Sequence, residues 1–219
     1  MKKIFSGIIC LSFIFALMLT GTHLAQADVV NDIMKRGEMV VGIQTQGPPI
    51  SFIDKHGKRT GLAVELVRML AKDMGVKLVL KDYEWRGLIP AILSKKVDFI
   101  AADMTPTIKR STRLNFTDPY MYSDVVAFSA AGRPFKSLKD LNFSTVSIAV
   151  IQGSSHVDIV NRQLPKVKLK EYAGGGAAVA TAVMDGRAPV GVNAISTVRG
   201  YMKSFKGMTV LDGVLQHGP

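Results

Sequence analysis

Short apolar runs and amphipathic helical stretches take turns along this chain, and that alternation restricts its fold more than any other feature. Residues 39–43 (Met-Val-Val-Gly-Ile) read as a strand, and Gly47-Pro48-Pro49 turns the chain after it. Residues 50–53, followed by Asp54-Lys55-His56-Gly57-Lys58, predict a hairpin with a polar tip. Thr60 is placed to cap a helix carrying Leu62, Leu66, Val67, Leu70, Ala71 and Met74 at helical spacing, and Gly75 stops it. Residues 76–80 alternate as a strand. Leu88, Ile89, Ile92 and Leu93 make a second apolar helical face, and residues 98–102 are the next strand. Such a series specifies an α/β fold with a parallel sheet and right-handed crossovers.

Residues 125–129 are extended again and run into Gly132-Arg133-Pro134, where the composition shifts. A second, similar alternation follows. Strands are expected over 146–151, 167–172, 190–192 and 208–211. Helices open at Gly153-Ser154-Ser155, after Gly174-Gly175-Gly176, and around 198–202. The expected result is two α/β lobes joined by a hinge, residues 28–128 and 129–213, with ligand sites at the carboxyl ends of the strands.

The first 27 residues stand apart from this pattern. Lys2 and Lys3 precede an apolar run over residues 8–19, and Ala25-Gln26-Ala27 supplies a small-x-small cleavage site. This is the form of a secretory signal cut after Ala27. The run is shorter than the ~20 apolar residues of a membrane-spanning helix. Export removes Cys10, the single cysteine of the 219 residues, so no disulfide is expected and stability rests on an ordinary core. Removing Lys2 and Lys3 takes the formal charge from +11 to +9, still basic, but the cations are scattered without interleaved aromatics. A nucleic-acid partner is not expected.

Chemistry concentrates in residues 98–120. The strand ends in Ala101-Ala102 and breaks into Thr105-Pro106-Thr107, with Arg110 just beyond. A guanidinium offers a planar fork of donors matched to a carboxylate, and threonine hydroxyls and amides can complete the shell. Spacing alone leaves this reading and that of an ordinary surface arginine both open.

The run Met104-Thr105-x-Thr107-x-x-Arg110, followed by Phe116-Thr117-Asp118-Pro119-Tyr120, resembles the signature of the periplasmic amino-acid-binding proteins of ABC transporters, the family 3 solute-binding proteins. The similarity runs from Val41 to the end of the chain. It implies a type II, two-lobed Venus-flytrap fold. Against that pattern residues 214–219 correspond to the start of a return segment, and the last elements of lobe 1 would be missing. The resemblance makes Arg110 the clamp for a ligand carboxylate, with Thr105 and the Ala102 carbonyl beside it. Trp85 becomes an aromatic wall, and Ser154 and Ser155 a helix N-terminus offering amides to the same carboxylate. Tyr120 and Phe116 are expected to pack in the core or hinge.

Three positions depart from the family pattern. Gly47 stands where an aromatic is usual, Gln44 where an acid is usual, and Ala194, beside Asn193, where an acid receives the ligand's ammonium group. Asp103 is a candidate substitute for that acid. The resemblance implies an exported monomer that binds a small carboxylate or amino acid and serves an ABC permease at the inner membrane, without cofactor or metal. The alternative is a periplasmic cyclohexadienyl or arogenate dehydratase on the same fold, which the clamp would also suit. A sensory receptor module is a third class, with no signalling domain following to support it. For catalysis the residues themselves offer little: His56, His156 and His217 lack metal-pair or nucleophile–base spacing, and no G-x-S-x-G or Walker loop is present.

Overall fold

The computed structural model describes residues 29–218, so the expected signal segment lies outside the described residues. The chain divides into two compact units, Met1–Arg36 and Gly37–Pro219. Within the first, helix α1 (Val29–Arg36) carries Asp32 in its first turn and Lys35 and Arg36 in its last, charges that complement the helix dipole. Among the described residues no helix is long and apolar enough to cross a membrane.

The second unit contains both expected lobes. Lobe 1 is built on a parallel sheet of β1 (Glu38–Ile43), β5 (Lys77–Asp82) and β6 (Phe99–Ala101) in the order β5-β1-β6. Helices α2 (Leu62–Asp73) and α3 (Trp85–Leu93) form its crossovers. A small antiparallel layer of β2 (Gln46–Gly47), β3 (Ser51–Ile53) and β4 (Arg59–Thr60) sits between β1 and α2 in the chain. Its tip is fixed by Asp54, whose Oδ1 accepts from the amides of His56 (2.8 Å) and Lys58 (2.9 Å). Two local expectations are corrected here. The N-cap of α2 is Gly61 rather than Thr60, whose hydroxyl donates to Glu65 Oε1 instead. The α2 face that turns inward is Ala63, Val64 and Ala71, while Leu62, Leu66 and Leu70 of the expected stripe stay exposed. A three-stranded sheet offers a narrow surface, and small side chains let the helix approach it.

Lobe 2 is a five-stranded sheet in the order β11-β7-β10-β8-β9. Its strands are β7 (Val125–Ala130), β8 (Ser147–Ile151), β9 (Lys168–Tyr172), β10 (Val190–Ala194) and β11 (Met208–Val210). β8, β9 and β10 are mutually parallel, and β7 runs antiparallel to β10 and β11. The whole of β7 therefore belongs to lobe 2, so the crossing lies before Val125 and not at residue 128/129. An isolated apolar strand does not reveal its partner, and here the partner is more than sixty residues ahead. Residues 214–218 return along β7: the Val125 amide donates to Gln216 O and the Ser123 amide to Gly218 O, at 2.8 and 2.9 Å.

The period-2 pattern of β7 and β8 divides the core in two. Val125, Ala127, Ile148 and Val150 point to one cluster with Val160, from α5 (Ser155–Gln163), and Val190. Val126, Phe128, Ala149 and Ile151 point to the other. There they meet Val179 and Val183 of α6 (Gly175–Met184), Val198 of α7 (Ile195–Met202), and Trp85, Leu88 and Ala102 from lobe 1. Fully burying a side chain such as Phe128 contributes about 1.5–3 kcal/mol. Gly191 makes room for it, since a Cβ there would lie 2.5 Å from the ring. The second cluster thus joins the lobes as well as filling one of them.

Candidate functional site

β6 ends at Ala101, and the chain leaves the sheet through Ala102 and Asp103 at the carboxyl end of a parallel strand. Helix α4 (Ile108–Ser111) follows, with Thr107 as its N-cap: the Thr107 hydroxyl accepts from the Arg110 amide at 3.3 Å. This single turn folds Arg110 back toward the strand end. Its side chain is 8% exposed and runs between the lobes. Nη1 donates to Thr105 O at 2.9 Å, and Nη2 donates to Gly153 O, at the entrance to α5 in lobe 2, at 3.3 Å. The guanidinium also sits 5.7 Å from the Trp85 ring centroid. Burial lowers its pKa, while the negative charges of Asp158 and Asp103 oppose that fall.

A cavity of about 190 Å³ lies beside this bridge. Gln44, Trp85, Ala102, Asp103, Thr105, Ser154, Ser155 and Asn193 all line it. Arg110 differs: it is not among the lining residues but contacts two of them, Thr105 and Trp85. Two further details depart from expectation. The Ala102 carbonyl accepts the Tyr120 hydroxyl at 2.8 Å, and Tyr120 and Phe116, expected to pack in the core or hinge, both line the cavity. Ser154 is the N-cap of α5 by position, but its hydroxyl donates to Ile151 O at 2.7 Å and leaves the helix amides uncapped.

Thr197 and His156 also line the cavity, and neither is singled out by the sequence. Thr197 looks like any polar residue of an amphipathic helix. His156 had one available signal, its place in the turn that Ser154 and Ser155 open. Both belong to a notable set: Gln44 Oε1, His156 Nδ1, Asn193 Nδ2 and Thr197 Oγ1 are buried without a hydrogen-bond partner. Buried polar atoms are nearly always paired, and leaving one unpaired costs about 1–3 kcal/mol. Four such atoms, drawn from both lobes, surround one cavity. Burial, then the nearby Arg110 charge, pushes the His156 pKa down to about 4, so the ring is neutral at neutral pH. Burial pushes the half-buried Asp103 carboxyl up, against its own backbone amide, Thr197 and Arg110.

The lobes touch elsewhere through glycine. The Tyr201 hydroxyl donates to the Gln46 carbonyl, and Arg86 Nη1 donates to Gln152 Oε1 at 3.3 Å. A Cβ on Gly200 of α7 would lie 2.3 Å from Pro48 O. Gly200→Ala is therefore expected to weaken ligand affinity about tenfold by resisting closure. The free protein should melt lower as well, because the described form already places Pro48 O where the methyl group would go. Calorimetric titration alongside thermal melts checks this, and unchanged affinity would mean that closure tolerates the methyl group.

Two α/β lobes closing on a cavity at the carboxyl ends of their strands, bridged by a buried cation, define a two-lobed binding protein of the flytrap class. Residues 39–196 match the family model of the bacterial extracellular solute-binding proteins, family 3, and the chain belongs to that family. It is 29% identical over 150 residues to the L-cystine-binding protein TcyJ of Escherichia coli (strain K12), covering 68% of this chain and 56% of that one. The chain thus spans about half the length of the curated relatives it matches. Its fold is similar to the ancestral amino acid-binding protein AncCDT-1, a precursor of cyclohexadienyl dehydratase (TM-score 0.81, 32% identity, 88% of this chain and 83% of that one). It is also similar to holo ArgBP from T. maritima (TM-score 0.78, 28% identity, 86% and 82%).

Proposed function

We propose that this protein captures a small carboxylate, an amino acid or close analogue, in the periplasm and delivers it to an ABC permease. It would act as an exported monomer and carry out no chemistry on the ligand. The observation that carries this reading is the buried Arg110, strung between lobes beside a cavity whose orphaned polar atoms come from both. A ligand carboxylate can take over the longer of its two bonds, that to Gly153 O, because its full negative charge attracts the guanidinium more strongly than a neutral carbonyl does. Ligand contacts from both lobes then favour the closed form. The names of the relatives, cystine-binding and amino acid-binding, agree with this class of ligand.

A thermal-shift screen of amino acids and small carboxylates tests the reading. A ligand at 100 times its Kd stabilises by about 2.7 kcal/mol, a rise of roughly 5–11 °C at this chain length. Trp85, the chain's single tryptophan, reports binding independently by its fluorescence. No shift with any compound would remove the proposal. The second reading, a dehydratase acting on cyclohexadienyl acids, draws on the likeness to a dehydratase precursor and on Asp103 and His156 beside the cavity. Product formed from such acids would favour it, whereas a reversible shift without turnover favours capture.

A further inference from the structure

Helix α4 has two unlike faces. Inward it sends Arg110; outward it presents Ile108, Lys109, Thr112 and Arg113, all exposed. Their spacing, i, i+1, i+4 and i+5, keeps the four on one side of a helical turn. Ile108 is 88% exposed, more than any other large hydrophobic side chain among the described residues. Among the described residues neither Lys109 nor Arg113 enters an ion pair. The turn itself is held at three points. Thr107 caps it, the Arg113 amide donates to Arg110 O at 2.9 Å, and the Arg110 side chain ties it to Thr105 O. Residues 102–106 before it and 114–121 after it line the cavity, so α4 stands on the rim. Just past the second of those runs, Tyr122 is 76% exposed.

We propose that this rim face rests on an anionic phospholipid surface, with Ile108 entering the headgroup layer and Lys109 and Arg113 meeting lipid phosphates. The inference rests on the export reading above. An apolar side chain set between cations, with a tyrosine close by in the chain, suits a protein that lies on a membrane interface. Long basic side chains bury their stems at that boundary and keep their charges among the phosphates. Residues 104–123 carry one acid, Asp118, against Lys109, Arg110 and Arg113. The net charge of +9 expected after signal removal adds attraction at longer range. A protein partner fits this face less well. It is a knob of one turn, not a broad patch, and lysine is depleted at protein–protein interfaces. Contact here turns the cleft toward the membrane, the side on which a permease would receive the ligand.

The test sediments the mature protein with vesicles of phosphatidylcholine, alone or mixed with phosphatidylglycerol, alongside thermal melts of every variant. Wild type is expected to bind the mixed vesicles, to ignore the neutral ones, and to come off in raised salt. Lys109→Gln with Arg113→Gln should weaken binding about 10- to 30-fold, and Ile108→Ser about 5- to 10-fold. Lys166→Gln with Lys168→Gln removes the same charge at the amino end of β9, away from the rim, and should cost no more than about threefold. No binding to the mixed vesicles, or an equal loss in both double variants, overturns the assignment. Binding confined to native bacterial membranes and abolished by digesting their proteins also overturns it, in favour of a protein partner. Amino-acid capture is read separately, by thermal shift of the same preparations, so either reading can fail while the other stands.

Discussion

Replacing Arg110 with alanine is expected to weaken ligand affinity roughly 30- to 1,000-fold while lowering the melting temperature of the free protein by only a few degrees. The two effects separate because the residue does two things. Without ligand it makes two hydrogen bonds to neutral carbonyls, each with a modest net contribution after the cost of burying the cation. In the proposed complex it opposes a carboxylate in a site shielded from water, where an unpaired acid is heavily penalised. Arg110→Lys sharpens the argument. It keeps the charge but loses the planar fork, so one donor direction cannot reach both Thr105 and an acid group. Its affinity should fall between wild type and Arg110→Ala. Calorimetric titration of the three proteins with one amino acid decides the matter, and a tight-binding Arg110→Ala would show that the carboxylate is held elsewhere.

The second large effect concerns stability in acid. His156 is 9% exposed in the first turn of α5, its Nδ1 has no partner, and burial and Arg110 hold its pKa down at about 4 against an ordinary 6.5. The folded state therefore binds this proton less readily than the unfolded chain does. Stability attached to His156 is fully present above pH 6.5 and is lost as pH falls toward 4. At about 1.4 kcal/mol per pH unit the loss is about 3 kcal/mol. Asp103 works in the opposite sense, since a carboxyl raised by burial gains stability as it protonates. A single wild-type curve mixes the two. His156→Gln removes one of them, so wild type should lose about 3 kcal/mol more than the variant between pH 7 and pH 4 in denaturant unfolding. Parallel curves would mean that the histidine charges without cost, through an opening of the cleft.

How much of this was legible beforehand differs by element. The alternation of β1, α2, β5, α3 and β6 could be read from periodicity, because each element carries its own apolar pattern at the matching period. The assignment of β7 could not. Its Val-Val-Ala-Phe-Ser run is apolar on both faces, so nothing local says which sheet completes it, and pairing with Val190–Ala194 is a long-range event. The α2 stripe misled for a related reason. Leucines at helical spacing mark a face, but the width of the sheet beneath decides how much of that face is covered.

The site divides along the same line. The donors gathered in one short loop, Thr105 and Arg110, were fixed by local order: a strand end, a threonine-capped turn, and a guanidinium folded back by it. Which backbone oxygens hold that guanidinium, that Ala102 O is engaged by Tyr120, and that Thr197 and His156 join the wall follow from bringing together segments up to about a hundred residues apart. Sequence determined the two-lobed α/β architecture and the donor-rich loop at the end of β6 because hydrophobic period and residue chemistry are properties of neighbouring residues. Tertiary structure decided which polar atoms lost their water, because burial is set by what the other lobe lays across them.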